Sequence, residues 1–483
     1  MRRRSGRTWI AALLAVAPLV LAGCTVTVTG HATAPGLDVP KARLAVAGDS
    51  GNDFDQLVKN ALTDAMAFWR TAYPSVSGGK PLPELRGKIY SVGVPTPDPV
   101  VREDGCIKRE GLDAVVDNAA YCPLDDSIMW DRNPQHLVPV LSAKYGPLLV
   151  AMVFAHEFGH AVQARLGLFQ TRRTPAESVH METQADCASG AFSATVMLGQ
   201  QPHVKATPAD FERALLGFLA VRDNTPVDEQ GISHGDGFDR LAAFSTGFSS
   251  GVTACYNPDW AKRPFTERAY APGEEQQTRG GNEPLADILN GKGGLQEDLN
   301  DFWKAQFQRI GKQWSDVQFK VADHPACADT GAEFGYCPDG NTVYVSTRFA
   351  QQAYNSIPVL DLNQQTFIAS IVENQPGDFA LGALLAYGWS FAVQHQLHPD
   401  RQLDDGPGLL ASSCFTGAYA NYANVAPNTK GHRITLSPAD MDEATFAVAA
   451  QVGSNQAFGA RGTTSLDRVA ALVKGYERGL SSC

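Results

Sequence analysis

His156-Glu157-Phe158-Gly159-His160 sets two imidazoles four residues apart, with a carboxylate beside the first. On a helix, residues four apart share one face, so both rings can reach one ion. Glu157 stands one step round, placed to hold a water without ligating the ion. A catalytic zinc takes three protein ligands and keeps a fourth position for that water. The third ligand is expected downstream, among Glu177, His180, Glu182 and Asp186. Glu182 and Asp186 lie four apart and so share a helix face. Glu182 is then the expected ligand. Asp186 is expected to accept the second N–H of a ligating histidine, which fixes its tautomer. His180 is the competing ligand.

The motif needs a helix to carry it. The run Leu148-Leu149-Val150-Ala151-Met152-Val153-Phe154-Ala155 is apolar, Pro147 opens it and Gly167 closes it, which are the favoured positions for those residues. Two histidines without partners would be costly on so apolar a helix.

The chain reads as the same unit twice. Phe68-Trp69 corresponds to Phe302-Trp303, and Tyr121-Cys122-Pro123 to Tyr336-Cys337-Pro338. Ala161-Val162-Gln163 corresponds to Ala392-Val393-Gln394, and Cys187 to Cys414. Pro208-Ala209-Asp210 corresponds to Pro438-Ala439-Asp440, and Asp239-Arg240 with Cys255 to Asp467-Arg468 with Cys483. Short strands are expected at Ser127–Trp130 and Thr342–Val345, after each Tyr-Cys-Pro turn. In the second copy Tyr387-Gly388-Trp389-Ser390-Phe391 replaces the histidine motif. Leu409 stands where Glu182 does, and Ser413 where Asp186 does. One zinc per chain is therefore expected, in the first copy only, and Tyr387, Trp389 and Phe391 should fill space.

The repeat also sorts the cysteines. Cys187 as a thiolate ligand is the weaker reading, because Cys414 recurs in a copy without ligands. Disulfides are expected at Cys106–Cys122, Cys187–Cys255, Cys327–Cys337 and Cys414–Cys483, in keeping with an exported chain. The ninth cysteine, Cys24, follows Leu21-Ala22-Gly23 after a basic start (Arg2, Arg3, Arg4, Arg7) and a short apolar stretch. This is the pattern of a lipoprotein signal, with Cys24 lipidated and the rest of the chain facing outward from a bacterial cell membrane. The expected domains are a signal peptide over 1–23, a tether over 24–52, a metallopeptidase domain over 53–257, a linker over 258–284 and an altered copy over 285–483. The net charge is −11 over 483 residues and becomes more negative without the signal arginines, which argues against nucleic acid as a partner.

The chain resembles the bacterial neutral zinc metallopeptidases, a gluzincin-like family. The resemblance rests on Tyr121-Cys122-Pro123, the histidine motif with Val162-Gln163, Glu182 through Gly190, and His234-Gly235-Asp236-Gly237-Phe238-Asp239-Arg240 ending at Cys255. Gln163 and Leu166 stand where the metzincin pattern has glycine and a third histidine, so that class is out. The resemblance implies a zincin fold and Glu182 as third ligand. The expected architecture is α+β and mainly helical, with the zincin-like domain followed by its metal-free copy. The expected activity is hydrolysis of peptide bonds in a peptide or protein substrate, with Glu157 as general base. His234 is the expected oxyanion donor, since Arg240 recurs as Arg468 and so reads as structural. The alternative is a non-catalytic scaffold lipoprotein whose halves, the second above all, bind a protein partner.

Overall fold

Helix α1 (Asp53–Ala72) starts where the Asn52 side chain accepts from Asp55 N. It buries Val58, Leu62 and Trp69 against α2 (Pro147–Leu166). In α2, Pro147 takes the first turn and Gly167 closes the helix in the left-handed conformation. A capping box between Thr174 and Glu177 opens α3 (Pro175–Met197), and another between Thr207 and Asp210 opens α4 (Pro208–Ala220). Asp236 caps α5 (Gly237–Ser250). Helices α6 (Leu295–Arg309), α7 (Asp378–Leu397), α8 (Gly406–Ala423), α9 (Asp440–Ala450) and α10 (Ser465–Arg478) then follow in the second part of the chain. This computed structural model describes residues 39–170, 174–222, 233–266, 268, 282–323, 333–363, 368–401, 405–425, 429–450 and 462–483. The signal sequence and Cys24 lie outside them.

Each part carries one small sheet. Strand β1 (Ile89–Val92) runs parallel to β3 (Ser127–Asp131), and β2 (Ala119–Cys122) runs antiparallel to β3. The order β1-β3-β2 leaves β2 at an edge. Strands β4 (Gln318–Val321), β5 (Phe334–Cys337) and β6 (Thr342–Val345) repeat this as β4-β6-β5. Tyr121 pairs with Ile128, and Tyr336 with Val343. A hairpin of β7 (Ile357–Asn363) and β8 (Ile368–Gln375) adds to the second part.

The helix pairs α3–α5 and α8–α10 pack at very close range, because glycines meet backbone. A Cβ on Gly190 would lie 2.0 Å from Phe244 O, and one on Gly247 would lie 1.7 Å from Cys187 O. Gly417 and Gly475 stand in the same relation to Leu472 O and Cys414 O, at 1.9 and 1.8 Å. Disulfides Cys187–Cys255 and Cys414–Cys483 tie the ends of these pairs, and Cys106–Cys122 closes a shorter loop. Cys337 is also disulfide-bonded, while Cys327 lies outside the described residues. One hydrophobic core runs through both parts, from Trp69 and Phe154 to Trp389 and Leu472.

The segment expected as a linker is packed where it begins. Pro258–Lys262 forms a 3-10 turn, and buried Trp260 donates from Nε1 to His180 O. Its aromatic bulk outweighs the polar composition around it. No helix among the described residues is long and apolar enough to cross a membrane.

Candidate metal centre

Helix α2 presents His156 and His160 on one face, and α3 brings Glu182 to meet them. All three are buried. His160 Nε2 lies 3.1 Å from His156 Nε2 and 3.1 Å from Glu182 Oε2, and His156 Nε2 lies 3.2 Å from Glu182 Oε2. One donor atom from each residue falls within 4.8 Å of the others. His180 stands apart, its ring packed on Phe265 at 4.4 Å between centroids.

Partners behind the imidazoles decide which nitrogens face inward. His156 Nδ1 lies 2.7 Å from Asp186 Oδ1. His160 Nδ1 lies 2.8 Å from Gln163 Oε1, and Gln163 Nε2 donates to Met181 O and Gln184 Oε1. With acceptors at both Nδ1 positions, each ring carries its proton there and turns an Nε2 lone pair inward. Two lone pairs and a carboxylate then converge on one point out of reach of bulk water. They repel one another unless a proton or a metal cation lies among them. Two nitrogens and one oxygen at this spacing suit zinc. The donor set fits the ion.

In the metal-free chain a shared proton takes that place. Burial opposes a charge on His156, but Asp186 and Glu182 outweigh it and push the imidazole up to about 10. Burial likewise opposes the Glu182 carboxylate, yet His160, His156 and His234 hold it well below the usual range. Asp186 is depressed despite its burial, by Arg240 first and then His156. A dication would displace the shared proton and keep both carboxylates ionised.

Glu157 lies at the mouth of this group. Its Oε2 accepts from Tyr121 N at 2.9 Å, on edge strand β2. A cleft of about 350 Å³ opens beside His156 and Glu157, lined by Asn118, Leu141, Phe218, Arg222 and His234 among others. His234 is exposed at its rim. Arg240 binds Asp186 from Nε and Nη2 at 2.9 and 3.0 Å, and donates from Nη1 to Val221 O. Its counterpart Arg468 donates to Val448 O and Ala449 O. Sequence reasoning missed Gln163 as the partner of His160. Its place three residues after that histidine, one helical turn on, was the available signal.

A helix bearing HExxH, a carboxylate from the next helix and a small sheet whose edge strand meets the glutamate define a zinc-peptidase-like site. Residues 106–258 match the model of the family described as putative neutral zinc metallopeptidase. The chain is similar to uncharacterized protein YpfJ of Escherichia coli (strain K12), with 32% identity over 154 residues. That match covers 28% of this chain and 52% of YpfJ, about half of the relative's length. It is also similar to uncharacterized protein Rv2575 of Mycobacterium tuberculosis, with 27% identity over 238 residues, 45% of this chain and 74% of the relative. No solved structure matches the chain.

Proposed function

We propose that the first half, over 53–257, is a zinc metallopeptidase domain that hydrolyses peptide bonds. The observation that carries this is the convergence of His156 Nε2, His160 Nε2 and Glu182 Oε2, with each imidazole fixed from behind. These three would hold one zinc ion, which when bound supplies Lewis acidity and lowers the pKa of a water toward ~7. Glu157 does the proton work. Tyr121 N–H occupies its Oε2 and leaves Oε1 without a hydrogen bond among the described residues. Oε1 takes a proton from the water that adds to the carbonyl carbon. As the C–N bond breaks, the same carboxyl returns that proton to the leaving amine. The cleft walls Leu141 and Phe218 exclude water beside the scissile bond. His234 at the rim is the proposed donor to the carbonyl oxygen.

The second half, over 285–483, is proposed to be a metal-free copy. The residues aligned with the ligands form an apolar cluster, since Tyr387, Phe391 and Leu409 are buried together with Tyr336 packed against them. Tyr387 donates its hydroxyl to Leu409 O. Gln394 aligns with Gln163 and keeps the matching donor bonds, to Gly408 O and Ser412 Oγ. Its Oε1, with Phe391 in place of a histidine, has no hydrogen-bond partner among the described residues. An orphaned buried acceptor is the expected relic of a lost imidazole. The proposed setting is a lipid anchor at Cys24 on the outer side of a bacterial cell membrane, with the second half free to bind a protein partner.

Purified full chain should contain about one zinc, the stoichiometry of a single catalytic site, and should cleave fluorescein-labelled casein. Glu157→Gln should keep the zinc and lose the cleavage. Loss of zinc in that variant, or retained cleavage, would remove Glu157 from its role.

A further inference from the structure

Two contacts join the halves by one rule. Glu212 stands two residues after Asp210 in α4, and Asp442 two residues after Asp440 in α9. Asp442 accepts from the backbone N–H of Gly237 and Phe238, where α5 begins. Glu212 accepts from the N–H and Oγ of Ser465, where α10 begins. Gly237 and Ser465 each precede Asp239 and Asp467 by two residues. Each half thus lends a carboxylate to the other half's helix N-terminus, which favours negative charge. Reciprocal contacts of this kind define a two-fold interface, here inside one chain.

The two contacts differ in one respect. Asp442 also pairs with Arg222 Nε at 2.8 Å, and Arg222 lines the cleft beside His156 and Glu157. Arg222 Nη1 donates to Leu219 O and to Pro358 O of the second half. Nη2 has no hydrogen-bond partner among the described residues. The side chain is only 10% exposed. Glu212, at the mirrored contact, does not line the cleft.

We propose that Asp442 is a positioning residue for the first half's site, holding the Arg222 guanidinium in the cleft wall as a donor to a carbonyl oxygen of the bound peptide. This rests on the peptidase reading of the cleft. Asp442 balances the guanidinium charge, and Asp117 lines the same cleft. A neutral carbonyl therefore suits Arg222 better than a substrate carboxylate, which would face both acids. The second half is on this account a working wall of the cleft, without metal chemistry of its own.

The test compares Asp442→Asn with Glu212→Gln in the full chain. Both remove one carboxylate charge from the same kind of helix start, so both should lower thermal stability, Asp442→Asn the more because it also leaves Arg222 without its carboxylate. Zinc content should stay unchanged in both. Only Asp442→Asn should raise KM for fluorescein-casein, by about tenfold with kcat held, as expected for weakening a charged hydrogen-bond donor. Asp442→Glu should restore KM. Limited trypsin digestion reads the anchoring without substrate turnover, since trypsin cuts after an arginine only when that side chain is released into its own pocket. Cutting after Arg222 should appear in Asp442→Asn and not in Glu212→Gln. The proposal is overturned if Asp442→Asn leaves both KM and Arg222 protection unchanged, or if Glu212→Gln reproduces both effects. A zinc-loaded wild type that cleaves no casein overturns the donor role together with the peptidase reading. The trypsin map then still decides whether Asp442 holds Arg222.

Discussion

Replacing Gln163 with alanine separates the proposed metal site from the fold around it. Gln163 is fully buried and makes three hydrogen bonds: His160 Nδ1 at 2.8 Å, Met181 O at 2.7 Å and Gln184 Oε1 at 3.0 Å. The substitution frees His160 to turn or to change tautomer, and removal of such a partner typically costs 10–100-fold in metal affinity. It also leaves the buried Gln184 Oε1 without a partner among the described residues, worth about 1–3 kcal/mol, and strips a side-chain donor from Met181 O. Gln394→Ala is the matched control. It strips a side-chain donor from Gly408 O and Ser412 Oγ but touches no histidine. Both variants should unfold at lower denaturant, Gln163→Ala by more, because Gln394 carries an orphaned Oε1 that its own removal relieves. In a titration against a chelator of known zinc affinity, only Gln163→Ala should bind more weakly. Unchanged affinity in Gln163→Ala, or an equal loss in Gln394→Ala, would refute the claim that Gln163 fixes a ligand.

Other variants probe ligands, packing and charge. Glu182→Ala should bring zinc content close to zero, while His180→Ala should leave it unaltered; elemental analysis reads both. Gly190→Ala forces a Cβ onto Phe244 O and should destabilise the chain by about 1–3 kcal/mol or more. Gly417→Ala should cost a similar amount, but only Gly190→Ala should weaken zinc binding in a chelator titration, because α3 carries Glu182 and Asp186. Burial, with Glu283 nearby, pushes the Asp378 carboxyl up to about 6. Its folded pKa exceeds the unfolded one, so its contribution is fully present below pH ~4 and is lost as pH rises through about 6. Asp378→Asn should therefore stabilise the chain at pH 8, on the order of 1–3 kcal/mol, and much less at pH 4. A denaturation gain that is equal at both pH values would contradict that burial account.

Much of the fold was legible where local chemistry sets local structure. Pro147 and Gly167 bound α2 because one suits a first helical turn and the other a left-handed close. The Tyr-Cys-Pro turns announced β3 and β6. The residues singled out for metal binding meet because both spacings, 156 to 160 and 182 to 186, are helical. Other features left little local trace. Trp260 packs from a polar, proline-bearing stretch that reads as a linker. The β7–β8 hairpin was not foreseen. The Asp442–Arg222 pair joins positions 220 residues apart, with no periodicity to announce it. Gln163 lay within the recognised motif, yet its bond to His160 depends on a rotamer set by Met181 O and Gln184 from the next helix.

The central claim is one zinc ion in the first half and none in the second. Crystals of the full chain grown with zinc and measured on both sides of the zinc absorption edge test it most directly. The account predicts one anomalous peak, bounded by His156 Nε2, His160 Nε2 and the Glu182 carboxylate. No peak there, or an equal peak among Tyr387, Phe391 and Leu409 or at the Asp378–Asp440–Glu443 carboxylates, would contradict it.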